Sequence, residues 1–175
     1  KPIKLTAFGV SMVFDNLFTG RDLDQVAQQC SFTDPSISLG AGFIQAVSTT
    51  GRGPVLLVVP DGGAQNQTGF EGWRLLAEDP TPRSVTFEGW YEAMEHTEAW
   101  AEKEWAAAEP WNPPSSATIE PHGRREYRYR LTLAPSLRAV PQTLLGLGKP
   151  TVSATPGYTL PPAMANATIA VRRRA

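Results

Sequence analysis

The segment 85–94 carries the residues best suited to chemistry, because Glu88, Trp90 and Glu92 fall at alternating positions of a predicted strand. Alternation places the two carboxyl groups and the indole on one face of that strand. An indole ring can stack on the C–H face of a sugar ring, and carboxylates accept hydrogen bonds from hydroxyl groups. The pattern therefore indicates a carbohydrate-binding face. The competing interpretation is the solvated polar face of an amphipathic sheet.

Acid–base catalysis by this pair of glutamates is disfavoured by their spacing. Glycosidases need two carboxyl groups about 5 to 10 Å apart. The Cβ atoms of Glu88 and Glu92 on a strand are about 13 Å apart, so the side chains would have to lean together. The sequence accordingly identifies no catalytic residue.

Nucleophilic and metal-assisted chemistry finds little support elsewhere in the chain. Cys30 is the only cysteine and is predicted to be a buried structural thiol. His96 is predicted to lie at the surface or to cap a helix, and His122 to be a solvated turn residue. Two histidines and one cysteine at unrelated spacings do not form a zinc site. We predict no bound metal and no cofactor.

A calcium site is the remaining metal hypothesis. Asp22 and Asp24 form an Asp-x-Asp pair near Asp34, and carboxylate oxygens are the ligands that Ca²⁺ prefers. The glycine and the terminal glutamate of an EF-hand loop are missing, so ordinary surface carboxylates are the favoured interpretation.

The tryptophans form a second candidate set. Trp100 and Trp105 have helical spacing and are expected to pack against a sheet. Trp111 precedes Asn112-Pro113-Pro114, which indicates an irregular segment. An exposed aromatic face there would be a binding site or a domain interface. Trp111 therefore joins Glu88, Trp90 and Glu92 as a candidate for carbohydrate binding.

Short strands separated by turn residues dominate the chain. The 16 prolines and 15 glycines are scattered as turn punctuation instead of forming a low-complexity tract. We predict roughly eight to eleven strands against two short helices, at 97–108 and 136–147. The fold class is all-β, a large antiparallel β-sandwich with one or two short helices, and residues 1–175 form a single domain.

Hairpins are predicted at two places. Strands 42–49 and 54–60 form one, and strands 115–120 and 125–133 form another across Pro121-His122-Gly123. Strands 151–155 and 168–174 are the closing strands. The apolar run 55–59 is continuous instead of alternating, so both of its faces need cover. A second sheet would cover one face, and either the Trp100/Trp105 helix or a neighbouring domain would cover the other.

Charge and hydropathy restrict the partners. The net charge of −1 leaves no basic field of the kind that nucleic-acid binding requires. The chain contains no apolar run near the ~18 residues of a membrane helix, so neither nucleic acid nor membrane is an expected partner. Asn66 and Asn166 begin N-x-Thr glycosylation sequons. With Lys1 at the start in place of Met, we expect a processed or excised, secreted protein.

Several segments resemble a known domain when they are taken in order. They are the segment from Leu39-Gly40 to Ile44, followed by a strand and Pro60-Asp61-Gly62; the segment 69–74 (GFEGWR); the segment 105–116; and the segment 123–158. This order is similar to the N-terminal supersandwich of polysaccharide-degrading enzymes. The resemblance is specifically to an uncharacterised fungal and bacterial family in which the sandwich precedes an (α/α) six-hairpin glycosidase-like barrel.

The resemblance implies a sandwich domain of a secreted glycoside hydrolase or polysaccharide lyase. The catalytic acids of such enzymes belong mainly to the barrel, which this chain lacks, so no catalytic residue carries over. The implied partners are a polysaccharide or oligosaccharide and the neighbouring catalytic barrel. Two alternatives remain open: a free-standing carbohydrate-binding module and a structural interaction domain.

Overall fold

The computed structural model describes residues 1–12, 14–62, 69–76, 90–155 and 166–173. Within these ranges the chain forms many short strands and three short α-helices. The strands are β1 Ile3–Leu5, β2 Phe8–Met12, β3 Ser31–Ser36, β4 Phe43–Ser48, β5 Val55–Pro60, β6 Gly72–Leu76, β7 Trp90–His96, β8 Ala117–Ile119, β9 Tyr129–Ala134, β10 Thr151–Thr155 and β11 Thr168–Arg172. The helices are α1 Leu23–Gln29, α2 Glu98–Ala101 and α3 Val140–Gly146.

Two antiparallel sheets form the body of the fold, which confirms the predicted fold class. One sheet has the order β2-β7-β6 and the other the order β3-β4-β5-β9. Side chains from both sheets meet in a shared core, as expected for a sandwich. This core contains Met12, Ile44, Val58, Phe70 and Ala93. Two smaller antiparallel pairs, β1-β8 and β10-β11, complete the described strands. The predicted hairpin of β4 with β5 is confirmed. The two predicted closing strands, β10 and β11, are present and pair with each other.

Helix α3 covers the outer face of β5. Val55, Leu57 and Val59 alternate with the inward-facing Val58, and they pack in a second core with Val140 and Leu144 of α3. The prediction that both faces of this strand are covered is confirmed, and the second sheet covers one of them as expected. The two covers proposed for the other face, the Trp100/Trp105 helix and a neighbouring domain, were wrong. The cover is α3, because β9 runs directly into the turn that starts this helix and so returns it to the same sheet. Gly148, with a φ of 77°, follows the helix and terminates it in the left-handed conformation that glycine adopts readily.

The Trp100/Trp105 segment covers the other sheet. Helix α2 is only one turn long, and the chain continues to Ala108 through turns in place of the predicted three-turn helix. The Arg74 guanidinium lies 3.7 Å from the centre of the Trp100 ring. The Trp105 ring lies over Gly72, where even a Cβ atom would be crowded. These contacts hold both indoles against the outer face of the β2-β7-β6 sheet, and the backbone follows them instead of an ideal helix.

The predicted hairpin between 115–120 and 125–133 was wrong. The tight turn exists, with a hydrogen bond from the Gly123 N–H to the Glu120 carbonyl and a φ of 63° at His122. However, β8 pairs with β1, while β9 pairs with β5 along its whole length. The apolar β5 needs a neighbour on both edges, and β9 satisfies its backbone groups from Val55 to Pro60, which outweighs the local turn.

No described helix is both long enough and apolar enough to cross a membrane.

Candidate functional site

The four carbohydrate-binding candidates separate in the structure. The carboxylate of Glu92 accepts a hydrogen bond from Arg74 at 3.2 Å on the sheet face covered by Trp100. Glu88 lies outside the described residues. Trp90 begins β7, but its side chain is likewise outside the described part. Glu92 therefore has a structural role as the partner of Arg74. Trp111 lines a pocket to which Glu92 does not contribute.

Trp111 stands at the mouth of a pocket of about 290 Å³. Its side chain is 81% exposed, whereas an indole usually buries much of its large surface. Trp73 and Trp105 line the same pocket, together with Glu71, Glu109 and Asn112. Three indoles beside carboxyl and amide groups form an apolar cavity with a few polar groups, which is the usual composition of a small-ligand site.

The pocket is positioned by an edge of the sandwich. Pro35 of β3 and Trp73 of β6 contribute to its wall, and these strands are the outer members of their sheets among the described strands. The irregular segment from Ala108 to Asn112 closes the remaining side. Pro110 prevents a regular helix there, so the backbone stays irregular and leaves Trp111 exposed.

Glu71 fixes the floor of the pocket. Its carboxylate accepts hydrogen bonds from the Thr97 hydroxyl at 2.9 Å, from the Ser115 N–H at 3.1 Å and from the Ser115 hydroxyl. The Asn112 side-chain amide donates to the Glu71 carbonyl at 3.0 Å. These bonds join β6, the end of β7 and the pocket segment. The indoles are therefore supported by a cross-linked polar base.

His96 continues this hydrogen-bonded chain into the interior. The prediction of a surface or capping histidine was wrong, because the residue is 2% exposed. Nδ1 lies 2.7 Å from the Ser115 hydroxyl and Nε2 lies 2.7 Å from the Tyr127 hydroxyl. Because the Ser115 hydroxyl donates to Glu71, Nδ1 donates to Ser115, and in a neutral ring Nε2 then accepts from Tyr127. Burial lowers the pKa of His96, which agrees with this neutral ring.

Glu95 is the second buried acid beside this network. Burial raises the pKa of Glu95 to about 7, and the nearby Glu71 carboxylate adds to the increase. Burial and the Glu95 carboxyl also raise the pKa of Tyr129. Burial lowers the pKa of Lys149. None of the side chains of Glu95, His96, Tyr127 or Tyr129 lines the Trp111 pocket. These groups can hold protons, but they act within the core.

The remaining candidates have structural roles. Asp22 caps α1 by accepting a hydrogen bond from the Gln25 N–H at 2.8 Å, and Asp34 accepts one from the Gln45 amide at 2.8 Å. Within the described ranges, no group of three or more His, Cys, Asp or Glu residues is arranged to hold a metal ion. Cys30 is buried as predicted, and His122 is exposed at its turn.

Sequence reasoning missed Glu71 as the base of the pocket. Its signal is the placement of a carboxylate between two glycines and next to aromatic residues, in GFEGW. A charged residue in such an apolar setting is buried only when it is well hydrogen-bonded. Its partners Thr97 and Ser115 are distant in the sequence, so spacing alone could not identify them.

Of the two glycosylation candidates, Asn166 is exposed and precedes β11, whereas Asn66 lies outside the described residues. Because Asn166 is exposed, its side chain is accessible for attachment of a glycan.

The described part of the chain is a β-sandwich with an indole-lined pocket at its edge. The chain belongs to a family of unknown function, DUF5695, whose model matches residues 1–174. Among the curated proteins none matches the chain. A solved structure, the polysaccharide lyase BACCELL_00875, shares the fold with a TM-score of 0.60 and 14% sequence identity. The match covers 87% of this chain and 19% of the lyase chain, so the chain spans about a fifth of that protein.

Proposed function

We propose that this chain is the β-sandwich domain of a secreted carbohydrate-active enzyme, either a glycoside hydrolase or a polysaccharide lyase. In this role it supports a catalytic helical barrel that is not part of the chain. The observation that supports the proposal most directly is the fold that the chain shares with part of a polysaccharide lyase. The sandwich has the form of one module of a larger protein, and the catalytic residues belong to another module.

Exposed apolar side chains on β9 favour the proposal that this sandwich packs against a neighbouring domain. Leu131 and Leu133 lie opposite Val58 and Leu56, so they point to the same side as the shared core. They are nevertheless 66% and 62% exposed, because the β2-β7-β6 sheet does not cover them. Apolar side chains lined up in this way are typical of an interface between domains.

The β10-β11 ribbon offers a second uncovered face. Cross-strand pairing brings Val152 opposite Val171 and Ala154 opposite Ile169, which gathers these apolar side chains on one side. All four are exposed. A two-stranded ribbon is marginally stable alone, and it gains stability when a neighbouring element covers its apolar face. A helical domain packed on the ribbon would supply that cover.

The test is the activity of the full-length protein on a panel of polysaccharides. Release of reducing ends reports cleavage, and the ultraviolet absorbance of an unsaturated product distinguishes elimination from hydrolysis. We expect cleavage of at least one polysaccharide. Absence of both signals on every polysaccharide would reject the enzyme and favour the binding or structural alternatives.

A carbohydrate-binding module is the second candidate function, and the exposed Trp111 favours it. A module of this kind binds glycan without cleaving it. Binding by a full-length protein that has no cleavage activity would select this alternative over the enzyme.

Secretion and glycosylation complete the proposal. We propose that Asn66 and Asn166 carry glycans if the host is eukaryotic, since Asn166 is exposed and Asn66 lies in a glycine-rich, polar stretch of sequence. The intact mass of the protein from its native host should fall after treatment with an N-glycosidase. An unchanged mass would reject occupancy of both sequons.

A further inference from the structure

The Trp111 pocket has a composition that selects one class of sugar. Of the described residues that line it, the ionisable ones are Glu71 and Glu109, and both are acids. Trp73, Trp105 and Trp111 supply the apolar surface. The chemistry is therefore that of stacking rings beside hydrogen-bond acceptors, without a cationic partner for a charged ligand.

We propose that this pocket binds an uncharged pyranose residue of a glycan and discriminates against uronates. The inference deepens the proposed function, because it rests on a carbohydrate being the ligand. An uncharged ring can stack on the exposed Trp111 indole while its hydroxyl groups donate to the carboxylate of Glu109. The roles of Trp111 and Glu109 are thus recognition, not catalysis.

Discrimination follows from the charges at the pocket. A uronate carboxylate entering it would approach Glu71 and Glu109, and like charges at short range in a partly enclosed site repel each other. Glu71 cannot turn away, because Thr97 and Ser115 hold its carboxylate. The repulsion between Glu71 and a uronate is therefore fixed by the fold. Glu109, in contrast, is exposed and can be substituted without disturbing the fold.

Rigidity strengthens the recognition. The Asn112 amide holds the backbone of Glu71, and Pro110 restricts the chain just before Trp111. A side chain that is already oriented loses less conformational freedom when the ligand binds. Trp111 is consequently exposed but set on a restrained segment, which suits a stacking platform.

The experiment is native affinity electrophoresis of the full-length protein in gels that contain one polysaccharide each. The neutral probes are mixed-linkage β-glucan and galactomannan, and the acidic probes are polygalacturonate and alginate. We expect Trp111→Ala to weaken retention on at least one neutral probe by about tenfold or more, as for an aromatic anchor at a binding surface. Trp111→Phe should retain part of the binding. Leu23→Ala is the matched control, since Leu23 is an exposed apolar residue that does not line the pocket.

Charge reversal tests the selectivity separately. Glu109→Lys should introduce retention, or strengthen it, on polygalacturonate or alginate relative to the wild-type protein. Equal retention of the wild-type protein and Trp111→Ala on both neutral probes would overturn the proposal. Trp111-dependent retention of the wild-type protein on an acidic probe would overturn the selectivity.

The outcomes also separate this inference from the proposed function. If the protein cleaves a polysaccharide but Trp111→Ala changes no retention, the pocket inference fails and the enzyme stands. If Trp111-dependent retention occurs without any cleavage, the pocket inference stands and the enzyme fails.

Discussion

Glu95 and His96 are adjacent on β7, and burial moves their pKa values in opposite directions. It raises the pKa of Glu95 to about 7 and lowers that of His96, because each side chain is more stable uncharged. The charged groups around the pair are Glu71, Arg125 and Lys149, with Tyr129 near Glu95. Burial, the largest cause of both shifts, favours the neutral form of each side chain in the folded protein.

The stability of the fold should respond to pH with two opposing contributions. Glu95 has a raised pKa, so its contribution is fully present below the unfolded value near 4.5 and is lost as the pH rises through about 7. His96 has a lowered pKa, so its contribution is present above the unfolded value near 6.5 and is lost on acidification. Between about pH 5 and 6.5, a rise in pH therefore reduces the stabilisation from Glu95 and increases the stabilisation from His96.

Glu95→Gln should expose the contribution of His96. The free energy of unfolding of this variant should fall as the pH decreases from about 6.5 to 5, and at pH 8 it should exceed that of the wild-type protein by up to about 3 kcal/mol. Urea unfolding at several pH values measures both effects. Glu120→Gln serves as the exposed control. Identical pH profiles for Glu95→Gln and the wild-type protein would contradict the assignment.

At the scale of elements, backbone contacts hold the loop before β4 against the segment before β6. The Phe70 N–H donates to the Ser38 carbonyl at 2.9 Å. A Cβ atom at Gly42 would lie 2.4 Å from the same carbonyl oxygen and 3.0 Å from the Phe70 nitrogen. Backbone atoms cannot rotate out of the way as a side chain can, so this close approach requires glycine.

Gly42→Ala should therefore lower the free energy of unfolding by about 2 kcal/mol or more, because the added methyl group pushes the two segments apart. Gly40→Ala is the matched control two residues away, where a Cβ atom would meet nothing within 4 Å. That control should change stability by less than about 1 kcal/mol in either direction. Thermal or urea unfolding compares the variants, and equal stability of the two would refute the packing argument.

The success of sequence reasoning at this scale depended on how far apart the partners lie. The β4-β5 hairpin was predicted correctly because the turn and both strands are contiguous. The pairing of β9 with β5 and of β8 with β1 was missed, since nothing in the local pattern specifies a distant neighbour. The burial of His96 was missed for the same reason: its partners Ser115 and Tyr127 come from other segments.

At the scale of the whole molecule, the distribution of apolar surface is uneven. The outer face of β5 is closed by α3, so the continuous run of this strand needs no external partner. The apolar row of Leu131 and Leu133 instead lies beyond the facing sheet. Burying such a row against another domain gains about 25 cal/mol per Å² of apolar area removed from water. We therefore propose that the domain interface expected at β5 lies on β9 instead.

A full-length protein in which another domain covers β9 should bind little hydrophobic dye and should unfold with the two domains coupled. Replacing both Leu131 and Leu133 with Lys would place two charges in that contact, so the thermal midpoint should fall and the transition should broaden or divide. Leu23→Lys, at an isolated exposed position on α1, should do neither. Dye fluorescence and calorimetry measure these outcomes. Strong dye binding by the wild-type protein, together with an unchanged transition in the double variant, would mean that β9 is open to solvent.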